Sequence, residues 1–311
     1  MGKEYKMTKQ RLFLFAGYDK DGIIDDTLVW YLNALSKLGD IVLVMDCDVA
    51  DTTKLKDIKN LLHFEVARHG EYDFGSYKRA YMWAHDNKIL DQYEWVYLVN
   101  DSVYGPLFDL EPELKELESR GVDLTGMVDF SDYYTPAHIQ SWFVGMSNKV
   151  ATSDMIYNFM QSIRHRNNKS EIICKYEVGL SRTILQNGFK MSALFSQNGY
   201  HYHSVYDTPK IVLENFVPFV KKQGLCNIGG NVYLLPYTTD EFNEMVFAHA
   251  KRVGLKYPTQ DVVKPNSKIF RLTFLSIPFC TIYKEYTRRN DCYRIYLFDK
   301  IRIMKIIRKK W

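Results

Sequence analysis

The chain has 311 residues, 46% apolar and 25% charged, with a formal net charge of +4. These fractions exclude a disordered or collagen-like polymer, and the length admits two ordinary domains or one large α/β unit. The apolar run 274–283 is ten residues long and contains Pro278, well short of the ~18–20 apolar residues of a membrane-crossing helix.

From the N-terminus, 11–16 (RLFLFA) is a short apolar run ended by Gly17, the pattern of a buried strand. Asp25 and Asp26 offer an N-cap, Leu28, Tyr31, Leu35 and Leu38 follow at helical spacing, and Gly39 is placed to close that helix. Residues 41–45 predict a second buried strand. A helix is expected over 75–87, with Tyr77, Ala80, Tyr81 and Ala84 on one face, and a third strand over 95–99 stops at Asn100-Asp101-Ser102. This βαβαβ order is the layout of a nucleotide-binding half-sheet.

Farther on, strand-like pieces at 123–129 and 141–146 flank a polar, Tyr-rich loop. Ser153 caps a helix carrying Ile156, Phe159, Met160 and Ile163. A second helix is expected to open near Glu177, stop at Gly188 and hand over to a strand at 189–195, and 224–236 predicts a loop entering a short strand. The fold class is therefore α/β, a Rossmann-type mixed and mostly parallel sheet flanked by helices. With no internal repeat or low-complexity linker, the simplest division is one domain over 1–265, in halves 1–110 and 111–265, followed by a C-terminal segment, 266–311.

That segment is basic. Residues 281–311 hold ten Lys/Arg against three acids, a surplus of +7 that leaves −3 on the rest. Residues 293–311 interleave Ile, Leu, Met, Phe and Tyr with Lys and Arg, the composition of an amphipathic helix lying on an anionic membrane surface, where each cation adds ~1 kcal/mol. A helix packing on the domain and a basic arm for nucleic acid are the other readings; the −3 of the remainder speaks against nucleic acid. The five cysteines form no C-x-x-C pair and no zinc spacing, so reduced, packed thiols are expected. The apolar stretch 12–16 is too short for a signal-peptide core. A cytosolic chain, touching the inner face of the plasma membrane through its tail, is the expectation.

In open α/β sheets ligands bind beyond the carboxyl ends of the strands. Three such ends are polar: Gly17-Tyr18-Asp19, Asp46-Cys47-Asp48 and Asn100-Asp101-Ser102. A diphosphate held through Mg²⁺ or Mn²⁺ needs one or two carboxylates as hard oxygen ligands. Asp46-Cys47-Asp48 has that spacing but precedes the third strand, so a polar strand terminus is the stronger reading.

Several pieces together resemble one family. They are Arg68 with Gly70; Tyr72-Asp73-Phe74-Gly75-Ser76-Tyr77-Lys78; Leu98-Val99-Asn100-Asp101-Ser102 with Tyr104-Gly105-Pro106; His138-Ile139-Gln140-Ser141-Trp142-Phe143; Tyr176-Glu177-Val178-Gly179-Leu180-Ser181; and Pro218-Phe219-Val220-Lys221. In order and spacing, over roughly residues 11–222, they resemble the rhamnan synthesis F family, glycosyltransferases of bacterial surface-polysaccharide assembly. The resemblance implies a GT-A-like fold, a UDP- or dTDP-sugar donor and a polyprenyl-linked saccharide acceptor, with 1–110 the nucleotide-binding half and 111–265 the acceptor half.

It also implies roles. Gly17, Tyr18, Asp19, Arg68, Asp73, Gly75, Lys78, Asn100, Asp101 and Ser102 would face the sugar donor, with Arg79 a further candidate cation. Asp101, with His203 and its neighbour His201 as later candidates, would hold a divalent Mn or Mg ion. Asn100-Asp101-Ser102 has one carboxylate where the wider GT-A pattern has two, which leaves the metal requirement open. His138, Gln140 and Ser141 would face the acceptor. Glu177 would take the proton of the acceptor hydroxyl in an inverting displacement; a first-turn Glu favoured by the helix dipole is the plainer account of it. The alternative to an enzyme is a non-catalytic nucleotide-sugar-binding subunit of a polysaccharide assembly.

Overall fold

The computed structural model describes residues 9–48, 51–132, 134–166, 168–197, 215–223 and 239–255, with the backbone of four further strands between 267 and 309. They fall into two compact units, Met1–Gly224 and Leu225–Trp311.

The first unit is built on an eight-stranded sheet. Its strands are β1 (Lys9–Gly17), β2 (Asp40–Met45), β3 (Leu61–Val66), β4 (Tyr93–Asn100), β6 (Leu124–Phe130), β7 (His138–Ile139), β8 (Phe143–Ser147) and β9 (Met191–Phe195); β5 (Val103–Tyr104) pairs with β10 (Val220–Lys221) in a separate ladder. The order is β3-β2-β1-β4-β8-β6-β7, with β9 beside β6. The β1, β2, β3 and β4 pairings are parallel, as is β6 with β9, while β8 runs antiparallel to both β4 and β6.

Strands covered on both faces read as continuous apolar runs, and β1 divides its side chains by alternation. Phe13 and Phe15 join Leu28, Tyr31, Leu32 and Leu35 of α1 (Asp26–Leu35) and Leu114 and Leu117 of α3 (Glu111–Glu118). Leu12, Leu14 and Ala16 join Phe74, Tyr77, Ala80, Tyr81 and Ala84 of α2 (Tyr72–Asp86) on the other face. Each large side chain so buried contributes about 1.5–3 kcal/mol. Arg11, 1% exposed, crosses this layer to Glu118, donating from Nε at 2.5 Å and from Nη2 at 2.7 Å, and the Tyr97 hydroxyl donates to the same carboxylate at 2.8 Å.

The two N-caps behave as expected, whereas the first helix closes at Ser36 and not at Gly39. Asp25 Oδ1 accepts the Leu28 N–H at 3.1 Å, and Ser153 Oγ accepts that of Ile156 at 3.4 Å to start α5 (Asp154–Ser162), which follows the short α4 (Asn148–Ala151). Several elements of this unit differ from expectation, among them the unforeseen helix α3. β3 is an extra parallel strand, unforeseen because its side chains alternate between half-buried and exposed. The helix expected to open near Glu177 opens at Asn168: Asn168 Oδ1 accepts the Glu171 N–H at 2.8 Å while its Nδ2 donates to Glu171 Oε1 at 2.9 Å, a reciprocal cap. This helix, α6, runs from Lys169–Ile172 through a π turn, Ile173–Glu177, into Val178–Gln186. Glu177 is therefore an interior residue at the end of a wide turn.

The second unit contains α7 (Asp240–Val253), capped by Thr239 and closed by Gly254 at φ 72°, and four antiparallel strands in sequence order: β11 (Ser267–Phe274), β12 (Ile277–Tyr286), β13 (Asn290–Leu297) and β14 (Ile301–Lys309). The basic tail thus adopts strand geometry in place of the expected amphipathic helix. Ile301, Ile303, Ile306 and Ile307 are β-branched and favour strands. Tyr133, His201, His203 and the stretch 224–236 lie outside the described residues. Among the described residues no helix is long and apolar enough to cross a membrane.

Candidate active site at the carboxyl edge of the sheet

Parallel register aligns the polar strand ends, with Ala16 opposite Asn100 and Gly17 opposite Met45. The Asp101 N–H donates to the Ala16 carbonyl at 3.2 Å, and the Tyr18 N–H donates to Asp101 Oδ2 at 3.2 Å. Burial raises the Asp101 carboxyl above its ordinary range, with Lys222 and the Tyr18 amide opposing it. Asn100 is buried and fully engaged. Its Nδ2 donates to Asp73 Oδ2 at 2.9 Å, and its Oδ1 accepts the Ser102 N–H at 3.0 Å and hydroxyl at 2.5 Å.

A second segment is laid across this edge. Tyr104 pairs with Val220 and Val103 with Lys221, the Lys222 N–H donates to the Ser102 carbonyl at 3.0 Å, and the Leu107 N–H donates to the Pro218 carbonyl at 2.8 Å. Gly105 permits this approach: at φ +148°, a Cβ there would sit 2.6 Å from both Phe219 Cδ1 and the Pro218 carbonyl. Lys221 Nζ donates to Ser102 Oγ at 2.8 Å and lies 5.6 Å from the Trp142 ring centre. Lys222 Nζ lies 4.0 Å from Asp101 Oδ2.

The strap 138–141 forms the other side. Ser141 donates to Glu177 Oε2 from its N–H at 2.8 Å and also from its hydroxyl, and His138 Nε2 lies 3.5 Å from Glu177 Oε1. His138 Nδ1 is 2.9 Å from the Pro136 carbonyl. Both of those partners accept only, so the arrangement favours the protonated imidazole. Burial works against that charge, but Glu177 and Pro136 outweigh it and the His138 pKa is raised. Burial likewise pushes the Glu177 carboxyl up, and His138 and Ser141 together bring it below its ordinary value. The strap is tied on two more sides, since the Tyr77 hydroxyl donates to the Ser141 carbonyl at 2.9 Å and the Ile139 N–H to Ser181 Oγ at 3.1 Å. Trp142 Nε1 donates to Gln140 Oε1 at 2.9 Å. Gln140 is 4% exposed, and its Nε2 has no acceptor among the described residues.

Electrostatics join the two sides. Burial, then the charge of Asp101, carries the Asp73 carboxyl up to about 6; Lys221 opposes that rise and Glu177 adds to it. Burial lowers the Lys221 ammonium to about 8, against the attraction of Glu177, Asp73 and Asp101. Asp73, Asp101, Glu177 and Lys221 therefore belong to one interacting cluster.

Other expected site residues are engaged in framework contacts. Asp46 Oδ1 accepts the His69 and Gly70 N–H groups at 2.9 and 3.2 Å, while Asp48 pairs with Arg68 at 2.9 Å, so this acidic pair is a strand terminus clamping the next loop. The Arg68 guanidinium lies 5.9 Å from the ring centre of Tyr18, which is 52% exposed. Asp19 Oδ1 caps its own loop through Asp21 and Ile23, at 2.9 and 3.1 Å. A Cβ on Gly17 would lie 2.2 Å from Met45 Sδ, and one on Gly75 2.3 Å from Glu71 Cβ. Lys78 Nζ donates to the Ile163 carbonyl at 3.0 Å, and Arg79 pairs with Glu71 at 2.6 Å. The cations beside Asp101 and Ser102 are instead Lys221 and Lys222. Sequence reading gave neither lysine a role, although Lys221 closes the family-like piece Pro218-Phe219-Val220-Lys221.

Among the described residues the donor set does not suit a divalent ion, and His201 and His203 lie outside them. Asn100 and Ser102 are already hydrogen-bonded to protein partners, Lys222 stands beside the one carboxylate of the triplet, and the described residues contain no group of three His, Cys, Asp or Glu arranged to hold a metal.

The family profile described as Rhamnan synthesis protein F matches residues 41–275. The chain is also similar to uncharacterized protein y4gN of Sinorhizobium fredii, 24% identical over 185 residues that make up 58% of this chain and 47% of that protein. The chain thus spans about half the length of the curated relative it matches.

Proposed function

The chain belongs to the rhamnan synthesis protein F family, and on that premise we propose that it is a glycosyltransferase of surface-polysaccharide synthesis. It takes a hexose or deoxyhexose from UDP or dTDP and passes it to a polyprenyl-linked saccharide. The observation that carries this reading is the clustering of Asp73, Asp101, Glu177 and Lys221 at the carboxyl edge of the sheet, where α/β folds bind their ligands.

In this mechanism the acceptor hydroxyl oxygen attacks the anomeric carbon. The carbon–oxygen bond to the diphosphate breaks, its electron pair leaves with the diphosphate, and the hydroxyl proton passes to Glu177. One displacement inverts the anomeric centre. Ser141 and His138 hold the Glu177 carboxylate charged and oriented, and Asp101 lies on the sugar-donor side. The basic C-terminal unit meets the membrane that carries the acceptor.

Incubating the chain with UDP- and dTDP-linked sugars and a synthetic polyprenyl-linked acceptor tests the reading. Product should form, and Glu177→Gln should lower turnover by about 10²–10⁴ with sugar-donor affinity nearly unchanged. Unaltered turnover removes Glu177 from the chemistry, and nucleotide binding without transfer or hydrolysis favours the non-catalytic binding subunit.

A further inference from the structure

Resting on that reading, we propose that Lys221 and Lys222 supply the positive charge for the donor's diphosphate, so that a nucleoside diphosphate binds here without a divalent ion. β10 exists as a strand only through its pairing with β5, and that pairing carries both lysines to the triplet at the end of β4. Lys221 is fixed on Ser102 Oγ, and Lys222 faces Asp101. Lys169 of α6 adds a third positive charge felt at Lys221.

The nearby carboxylates are already answered. Glu177 has His138 and Ser141, Asp73 has Asn100, and Asp101 has the Tyr18 N–H and Lys222. Added negative charge on a bound diphosphate therefore meets two ammonium groups, and it raises the affinity of Lys221 for its own proton. As the anomeric bond breaks, charge grows on the diphosphate, and ammonium groups fixed beforehand stabilise that charge without reorganising. A metal performs the same service elsewhere, but among the described residues the triplet offers it one carboxylate, already shared with a lysine.

Calorimetric titration of UDP and of dTDP into the full chain, in excess EDTA and again in excess Mn²⁺, tests this. One nucleotide should bind with the same affinity in both media, and Lys221→Met should weaken it by about tenfold or more, the loss of one charged hydrogen-bond partner. Lys222→Met, with the same expected direction, decides the matter if Lys221→Met fails to unfold cooperatively. Binding seen only with Mn²⁺ overturns the inference and leaves the glycosyltransferase reading standing. EDTA-resistant binding that neither variant weakens also overturns it. If neither nucleotide binds in either medium, both fall.

Discussion

Asn100 holds Asp73 through a 2.9 Å hydrogen bond from Nδ2, while its own carbonyl oxygen takes both donors of Ser102. Asp101, the middle residue of the triplet, instead accepts the Tyr18 N–H and lies 4.0 Å from Lys222 Nζ. The residue across it, Asp73, pays for its position with a carboxyl raised to about 6.

Asp73 therefore makes stability depend on pH in a stated direction. Its folded form binds a proton more tightly than the unfolded chain, so its contribution is fully present below the ordinary value of 3.8 and is lost as pH rises through about 6. Asp73→Asn should stabilise the fold at pH 8 relative to wild type, on the order of 1–2 kcal/mol after allowance for the solvent reaching this half-buried group, and the gain should vanish near pH 4. Urea unfolding at the two pH values checks this; an equal difference at both would show that the carboxyl's charge is not the cause.

The His138–Glu177 pair has the opposite behaviour at its two ends. The raised His138 pKa gives stability that is present below 6.5 and lost as pH climbs through the folded value, while the lowered Glu177 pKa gives stability present above 4.5 and lost on acidification. Wild type should exceed His138→Gln in stability most between those two values, with the margin shrinking as the medium turns alkaline. A margin that does not change between pH 5.5 and pH 9 would mean that the imidazole has the same pKa in the folded and unfolded chain, and one that grows with pH that it is neutral in the fold.

Arg11 is almost wholly buried against Glu118 and Tyr97. Arg11→Met leaves a desolvated carboxylate behind and should cost about 3–5 kcal/mol in denaturant unfolding, whereas Arg11→Met with Glu118→Leu should recover most of that. A double variant as weak as the single one would assign the loss to packing.

Gly105 lies where a side chain would meet the Pro218 carbonyl and the Phe219 ring. Gly105→Ala should lower stability by about 1–3 kcal/mol and push 218–222 away from the triplet. Nucleotide binding should weaken along with it, measured at a temperature where the variant is still folded. Full binding in a destabilised variant would detach the lysines from the site.

The central strands and two helix caps were legible because their physics is local. Apolar runs at 11–16, 41–45 and 95–99 mark strands covered on both faces, and Asp25 and Ser153 announce their helices by cap chemistry. β3 escaped because an edge strand that is half exposed carries His63 and Glu65 among its apolar residues. The start of α6 was misplaced because an Asn cap with its reciprocal Glu three residues on resembles an ordinary polar stretch. For the site, Asp73, Asn100, Asp101, Ser102, His138, Gln140, Ser141 and Glu177 were singled out through the resemblance to the family. Lys221 lay inside the piece Pro218-Phe219-Val220-Lys221, but neither it nor Lys222 was given a role, since their place beside the triplet depends on pairing across more than a hundred residues.

The wide turn at Ile173–Glu177 has a geometric meaning for the carboxylate that ends it. Successive residues of a regular helix are about 100° apart around the axis. Deleting a single position there would restore an ordinary winding and swing everything on one side of the cut by roughly that angle. With Asn168 anchoring one end and Leu180 and Ile184 seated in the core at the other, the extra residue sets the azimuth of Glu177, and so decides whether its oxygens meet Ser141 or look elsewhere.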